Sequence, residues 1–343
     1  MKLKILSVGT VTRDVFLKSR LFRVVKDEKH LSGPDFPTHE ATCFAMGSKM
    51  EVEEPVVAVG GGAANAAVTF SRAELSSFVL AAAGDDEAGF SVLKDLKKEK
   101  VAPRILKRPG HTGFGVVLLS SGGERTILHH RGASNSLKAS DVGPSFPYQA
   151  LYLAPGNLPW AVSERIIARA VKAGAFVAIN PSKAYLSDPS RLRHILSNAH
   201  VVVMNREEAA SFTGLPYEYE DHIFRALDAS ISGIAVMTEG VKGAMVSDGK
   251  NILRAGIFPT VVVDSTGAGD AFGSAFVCSL LLNGIRPSKG EKLKVPLENL
   301  KEAMRFGAAN SSAVVSKIGA HAGSLHLKDY SSKKYSHFNV REV

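Results

Sequence analysis

One glycine-rich segment combines an anion-binding pattern with a potential base. The run Asp264-Ser265-Thr266-Gly267-Ala268-Gly269-Asp270 follows an apolar stretch and leads into a predicted apolar helix over 271–282. Gly267 and Gly269 allow successive backbone N–H groups to surround an anion, and a helix start adds unpaired donors and a positive dipole end. Asp270, at the end of such a hole, can accept the proton of an attacking hydroxyl. The alternative is simple helix capping, which an aspartate after Gly-Ala-Gly performs well.

A second glycine run, Gly60-Gly61-Gly62-Ala63-Ala64-Asn65, follows a predicted strand and leads into a helix of small residues. The glycines let a substrate approach the backbone, and Asn65 offers a donor and an acceptor to hydroxyl groups. A dinucleotide-binding fingerprint is the competing interpretation, but Asn65 stands where its third glycine belongs. Close packing of the helix on the strand is the structural alternative.

Three further polar positions follow predicted strands. Asp14 comes soon after the first strand, Glu208 closes the run Asn205-Arg206-Glu207-Glu208, and residues 238–243 read Thr-Glu-Gly-Val-Lys-Gly. Each has an ordinary structural interpretation: a cap or surface aspartate, an acid in a first helical turn, and a β-turn. As isolated patterns they do not establish a function.

Short apolar runs alternate with amphipathic patterns along most of the chain. This alternation predicts an α/β fold with a mostly parallel sheet covered by helices on both faces. The predicted strands are 4–9, 56–60, 78–84, 151–155, 176–180, 201–205 and 234–240, and the predicted helices between them include 86–100, 160–172 and 189–197.

Two regions interrupt the alternation. Residues 16–55 are polar, with a strand-like stretch at 49–52, and residues 113–130 read as a hairpin with its turn at 121–124. Both regions lie next to the glycine-rich segments in the sequence. We therefore expect them to form a small second sheet over the site.

Composition excludes several classes of protein. With 45% hydrophobic and 22% charged residues, the 343-residue chain is neither disordered nor fibrous. It contains no membrane-length apolar run and no secretory signal pattern, so we expect no membrane partner. Two distant cysteines make neither a disulfide framework nor a zinc site, which predicts a reducing, cytoplasmic environment. The net charge of +9 is scattered, which predicts a solvated basic surface and no specific nucleic-acid partner.

Taken in this order over about 3–325, the segments resemble the PfkB/ribokinase family of carbohydrate and nucleoside kinases. The resemblance implies a ribokinase-like three-layer αβα sandwich with a mostly parallel central sheet and a small β-sheet lid. It implies one kinase domain over 1–325, with lid segments at about 15–56 and 104–131, followed by a basic polar tail at 326–343. In this family lids often pair between subunits, so a homodimer is expected.

The implied reaction is transfer of the γ-phosphate of ATP to a hydroxymethyl group of a sugar, with a nucleoside as the nearest alternative acceptor. A sugar- or nucleic-acid-binding protein that keeps the fold without turnover is the alternative from another class. The intact Asp270 and Glu208 weigh against it.

The resemblance also implies roles for individual residues. Asp270 is the base, and the transferring phosphoryl group is held by Gly267, Ala268 and Gly269. The acceptor site comprises Asp14, Gly61, Gly62 and Asn65, and the ATP site comprises Asn205, Thr238, Gly240, Gly243 and Asn310. Glu208 organises Mg²⁺ through water. The K⁺ site of many members corresponds here to Asp264, Thr266, Val314, Lys317, Gly319 and Gly323.

Two departures from the family pattern concern the acceptor. Gly62 stands where sugar kinases of the family often have lysine, and residues 16–55 exceed a typical lid hairpin. Asp14 would repel a phosphate group beside it unless Arg13 or Arg131 offset that repulsion. We therefore predict an unphosphorylated acceptor.

Overall fold

The computed structural model describes residues 2–31, 39–120, 125–288, 292–330 and 338–343. Its strands are β1 (Lys4–Gly9), β2 (Thr12–Lys18), β3 (Arg23–Lys26), β4 (Glu40–Cys43), β5 (Val56–Gly60), β6 (Ser76–Gly84), β7 (Ala102–Arg108), β8 (Phe114–Leu119), β9 (Arg125–His130), β10 (Ala150–Ala154), β11 (Phe176–Ile179), β12 (Val201–Asn205), β13 (Ile234–Thr238), β14 (Ala244–Ser247), β15 (Ile252–Ala255) and β16 (Val340–Glu342). Its α-helices are α1 (Gly62–Arg72), α2 (Glu87–Lys98), α3 (Trp160–Lys172), α4 (Pro189–Leu196), α5 (Arg206–Thr213), α6 (Glu220–Ser230), α7 (Ala268–Leu282) and α8 (Leu297–Val315).

Ten strands form one large sheet in the order β16-β15-β14-β13-β12-β11-β10-β1-β6-β7. The seven strands from β13 to β7 are parallel, and β14, β15 and β16 add antiparallel pairs at one end. Along β10, Leu151 and Leu153 pack with helices α3 to α6, whereas Tyr152 and Ala154 pack with α1, α7 and α8. Helix α2 joins α1 on that second face. The three-layer αβα arrangement predicted from the sequence is confirmed.

A separate four-stranded sheet has the order β5-β2-β8-β9, and β3 pairs with β4 in a two-stranded sheet. Register places Asp14, Gly115 and His129 side by side on one face of the four-stranded sheet. On the same face Phe16, Val117 and Leu119 form a small core with Ile318, so we call this the inner face. The predicted hairpin strands are present as β8 and β9, whereas their predicted turn at 121–124 lies outside the described residues.

The structure changes several predicted boundaries. Residues 104–108 belong to β7, which pairs with β6 in the large sheet, so the second segment of the small sheet starts at Phe114 rather than at 104. Residues 49–52 form no strand. The tail predicted at 326–343 includes β16, which pairs with β15, and Phe338, whose ring stacks on Phe258 at 4.0 Å. A polar edge strand and a three-residue strand carry too weak an apolar pattern to be recognised.

No helix among the residues described here is long and apolar enough to cross a membrane.

Candidate active site

The predicted site residues gather at one edge of the large sheet. Parallel strands bring their carboxyl ends to the same edge, where open α/β sheets bind ligands. Gly9, Asn205 and Thr238 are the last residues of β1, β12 and β13. The inner face of the small sheet contacts this edge, because Arg125 of β9 donates a hydrogen bond to Ser265 Oγ in the loop before α7.

Asp270 lies in the first turn of α7 and is half-buried. Asn65 Nδ2 donates a hydrogen bond to its Oδ2 at 2.9 Å. Its Oδ1 lies near Gly62, where an added Cβ would be 3.5 Å away. Burial raises the pKa of Asp270, and the hydrogen bond from Asn65 opposes that rise. One carboxylate oxygen is thus held by the protein while the other faces a glycine surface.

The glycines before Asp270 have different surroundings. Gly267 precedes α7 with φ +78°, and a Cβ there would lie 2.4 Å from the carbonyl oxygen of Ala320. By contrast, nothing lies within 4 Å of a Cβ placed on Gly269. The N–H groups of Gly269 and Asp270 find no acceptor in the described part of the chain. This open surface with free N–H donors at a helix start is suited to an anion.

The glycine turn between β5 and α1 has a carboxylate at each end, Asp14 at Gly60 and Asp270 at Gly62. A Cβ on Gly60 would lie 1.9 Å from Asp14 Oδ2, whereas Gly62 faces Asp270. Burial raises the pKa of Asp14, although hydrogen bonds from Thr12 and Gly115 act in the opposite direction. Arg13, the neighbour of Asp14, is instead paired with Asp95 of α2 at 2.6 Å.

Asn65 is occupied at both ends of its amide. Nδ2 donates to Asp270, and Oδ1 lies 3.2 Å from Nδ1 of His321. Burial, and then the nearby charge of Arg72, lower the pKa of His321 to about 4, so its ring is neutral near pH 7. Sequence reasoning assigned Asn65 to the acceptor and did not identify His321.

Glu208 is the carboxylate that could serve a divalent cation. It forms a reciprocal capping pair with Asn205, in which Glu208 Oε2 accepts from the Asn205 N–H at 2.9 Å. Burial, together with the charges of Asp270 and Glu207, raises the pKa of Glu208 to about 7. No group of three or more His, Cys, Asp or Glu side chains suited to a metal occurs in the described ranges. Mg²⁺ often uses one carboxylate together with water and substrate phosphates, so Glu208 fits that ion.

The loop before α7 carries Asp264 and Thr266, two of the residues predicted to hold K⁺. Asp264 is fully buried and accepts from the N–H groups of Thr266 at 2.9 Å and Gly319 at 3.0 Å. Thr266 Oγ1 is buried and has no hydrogen-bond partner among the described residues. The end of α8, which carries Val314, is tied to this loop because Val315 O accepts from the N–H groups of Val263 and Asp264. Lys317 follows in the turn after α8.

A family model described as pfkB family carbohydrate kinase matches residues 37–327. The chain belongs to this family. This PfkB protein is an ATP-dependent carbohydrate kinase. It is 27% identical over 277 residues to a ribokinase of Haemophilus influenzae, covering 78% of this chain and 84% of that protein.

Solved structures show the same fold at lower identity. The Arabidopsis thaliana ribokinase in complex with ribose and ATP has a TM-score of 0.72 at 20% identity, covering 99% of this chain and 100% of that one. A Methanocaldococcus jannaschii nucleoside kinase has a TM-score of 0.68 at 18% identity, with 96% and 99% covered. The ribokinase-like fold is therefore confirmed for this PfkB kinase.

One predicted ATP contact of the PfkB kinase is wrong. Asn310 is fully buried, donates to Ala271 O at 2.9 Å and accepts from the Leu325 N–H at 2.8 Å. It therefore joins α8 to α7 and to the following loop instead of facing a nucleotide.

The remaining predicted ATP loop, Thr238 to Gly243, contains an unexpected buried acid. The Glu239 side chain is only 1% exposed and pairs with Arg254 at 3.3 Å and Arg206 at 3.7 Å. This ion pairing fixes the loop next to the end of β13, while Gly240 and Gly243 both adopt positive φ.

Proposed function

We propose that this PfkB kinase transfers the γ-phosphoryl group of ATP to a hydroxymethyl group of an unphosphorylated sugar, with Asp270 as the general base. The observation that carries this proposal is the placement of Asp270. One of its oxygens is held by Asn65, and the other faces the Gly62 surface beside the open N–H groups at the start of α7.

Different groups of the protein act on the acceptor and on the transferred phosphoryl group. Asp270 Oδ1 accepts the hydroxyl proton as the acceptor oxygen attacks the γ-phosphorus atom. The bond from that phosphorus to the β,γ-bridging oxygen breaks, and ADP leaves. The N–H groups of Gly269 and Asp270, with the positive end of the α7 dipole, stabilise the charge on the transferred group. The small sheet covers the reacting atoms and excludes water that would otherwise hydrolyse ATP.

Charge favours a neutral acceptor. Asp14 lies at the acceptor end of the glycine turn, and Arg13, which could have offset its charge, is paired with Asp95 on α2. A phosphate group beside Asp14 would therefore meet repulsion without a nearby matched cation from β2. The carboxylate suits the vicinal hydroxyls of a sugar, and the ribose of a nucleoside remains the alternative.

Glu208 and the loop before α7 support two cations. Bound with ATP, Mg²⁺ would supply charge neutralisation to the phosphates. Glu208 would hold it through water, since only Oε2 of this residue is used in the capping pair. K⁺ would be held by Asp264, Thr266 Oγ1 and carbonyl groups of Val314 at the end of α8 and of Lys317, Gly319 and Gly323 after it. The unpartnered Thr266 Oγ1 supports this assignment.

The proposal also includes the oligomeric state and the cellular environment. The face of the small sheet opposite Asp14 exposes apolar side chains, which supports a homodimer formed through this lid. The free thiols of Cys43 and Cys278 support a reducing, cytoplasmic environment.

A coupled ADP-release assay over pentoses, hexoses, nucleosides and sugar phosphates tests the reaction. We expect a free sugar to be the best acceptor. Asp270→Asn keeps the shape but cannot accept the proton, so kcat should fall by about 10²–10⁴-fold with little change in the KM for ATP. Asp248→Asn, in the β14–β15 turn, is the matched control. An Asp270→Asn enzyme within threefold of wild type would rule out the base assignment.

A further inference from the structure

One face of α1 is attached to the loop that follows α8. Asn65, Thr69 and Arg72 are spaced four and three residues apart, so their side chains lie on the same side of the helix. Thr69 Oγ1 lies 3.5 Å from Ser324 Oγ. Arg72 Nη1 donates to the carbonyl oxygens of His321 at 3.1 Å and Ser324 at 2.8 Å. The loop therefore has a defined position relative to Asn65.

Arg72 itself is held from the opposite side. Its Nε and Nη2 donate to the two carboxylate oxygens of Glu99 at 2.8 Å and 2.7 Å. A two-point arginine–carboxylate pair fixes the plane of the guanidinium as well as its position. The backbone carbonyl of His321 consequently meets a rigid donor, and the imidazole ring is directed at Asn65.

Hydrogen-bonding chemistry decides the orientation of the Asn65 amide. An ionised Asp270 can only accept, so the group that faces its Oδ2 must be the amide NH₂. The carbonyl Oδ1 then faces His321, whose Nδ1 must carry the proton to complete the contact at 3.2 Å. Both the neutral Nδ1–H tautomer and the imidazolium satisfy this requirement.

We propose that His321 is a positioning residue for phosphoryl transfer: its Nδ1–H holds the Asn65 amide so that the NH₂ group binds Asp270 Oδ2 and Asp270 Oδ1 remains directed at the acceptor hydroxyl. This inference rests on the proposed role of Asp270 as base. Without the donor, the amide can rotate by half a turn and present its own oxygen to the carboxylate. Two acceptors then repel each other, and Asp270 loses its fixed orientation.

The first test compares kinetic constants of variants on the full chain. His321→Leu removes the donor, whereas His321→Asn places an amide N–H near the position of Nδ1. We expect His321→Leu to lower kcat by at least about tenfold, because small displacements of reacting groups are costly. The KM values for ATP and acceptor should stay within about threefold, and His321→Asn should recover most of kcat. Ser324→Ala, at the same helix–loop contact, is the control and should retain kcat.

A double-mutant cycle separates positioning through Asn65 from any other role. In an Asn65→Ala background, His321→Leu should have no further effect on kcat. An equal loss in both backgrounds would overturn the proposal, as would a His321→Leu enzyme with unchanged kcat or one changed mainly in the KM for the acceptor. The melting temperature of each variant shows whether a loss of kcat comes from unfolding.

A measurement without turnover keeps this inference distinct from the proposed function. Nitrogen-15 NMR of histidine-labelled wild type reads which imidazole nitrogen of His321 carries the proton. We expect the proton on Nδ1 in wild type. In Asn65→Ala, which lacks the acceptor, we expect a different distribution of the proton between Nδ1 and Nε2. An Nε2–H tautomer in wild type would overturn the positioning role even in an active enzyme. Full activity of Asp270→Asn with an Nδ1–H tautomer would instead count against the proposed base.

Discussion

Asp14 and Asp270 face the two ends of one glycine turn and have different hydrogen-bond partners. Asn65 donates a hydrogen bond to one oxygen of Asp270, and the other has no bond to the described residues, whereas Asp14 bonds to Thr12 and the Gly115 backbone. A general base needs an oxygen directed at the acceptor hydroxyl, whereas a binding carboxylate only has to contact the acceptor. The two aspartates are therefore expected to affect different kinetic constants.

Asp14→Ala should raise the KM for the acceptor by a larger factor than it lowers kcat, because it removes hydroxyl contacts made before and during reaction. Arg13→Ala is the matched control. Arg13 is the adjacent residue of β2, but it pairs with Asp95. Steady-state kinetics with the best acceptor measures kcat and the acceptor KM of each variant. If the two variants raise KM equally, the effect comes from displacement of the small sheet, and the contact assigned to Asp14 is absent.

The sequence could locate some site residues and not others for a physical reason. The segment around Asp270 is recognisable because its donors, glycines and carboxylate are consecutive. His321 is 256 positions from Asn65 and meets it only through the fold. Asn310 lies on a helix, where each residue turns the side chain by about 100°. A shift of one residue in helix register therefore changes which face of the helix a side chain lies on, and the sequence pattern did not show that Asn310 is buried.

At the scale of elements, Asn310 connects α8, α7 and the loop that carries His321. Asn310→Ala leaves the partly buried Leu325 N–H without its acceptor, which should lower the free energy of unfolding by about 1–3 kcal/mol. Urea unfolding measures this loss. Asn198→Ala, whose amide bonds near the protein surface, is the control and should change stability less. Equal losses in the two variants would contradict the connecting role.

The β11–β12 connection predicts a pH effect. His200 Nδ1 accepts from the Val177 N–H at 2.9 Å, and burial lowers the pKa of His200 below 6.5. Below pH 6.5 the unfolded chain binds a proton that the native imidazole resists, so the free energy of unfolding falls as the pH drops. His200→Asn keeps an acceptor and cannot become charged, so the fall should be shallower.

Urea unfolding at several pH values below 6.5 compares His200→Asn with the exposed His194→Asn. Other histidines contribute equally to both variants, so the difference isolates His200. Parallel curves for the two variants would contradict the argument.

The elements whose bounds the sequence predicted are a strand buried between the helix layers and an amphipathic helix. Val201–Asn205 and Trp160–Lys172 have the predicted bounds, because an apolar run and a clear helical period both extend over the full element. The sheet margins were missed for the opposite reason. Ala102–Arg108 contains three charged residues, which interrupt its apolar pattern. Ala244–Ser247 has four residues, which are too few to show the two-residue period of a strand.

At the scale of the molecule, the proposed homodimer would use the outer face of the small sheet. Val57, Phe114 and Leu128 are 47%, 43% and 57% exposed, and strand alternation places them opposite Asp14. Their apolar area is what a second copy would cover. Leu128→Glu should therefore convert a dimer into a monomer, measured by sedimentation equilibrium. Val171→Glu, at a 45% exposed site on α3, should leave the mass unchanged. A Leu128→Glu protein that keeps the mass of two chains would contradict this interface.

The final strand protects the backbone of its neighbour. Val340–Glu342 pairs with Ile252–Ala255, whose N–H and C=O groups would otherwise form an open margin of the large sheet. An uncovered margin of this kind is a template for pairing with another chain. A chain shortened to end before Phe338 would keep every residue of the proposed active site. The shortened protein should start with normal kinase activity. During storage it should aggregate slowly and lose that activity.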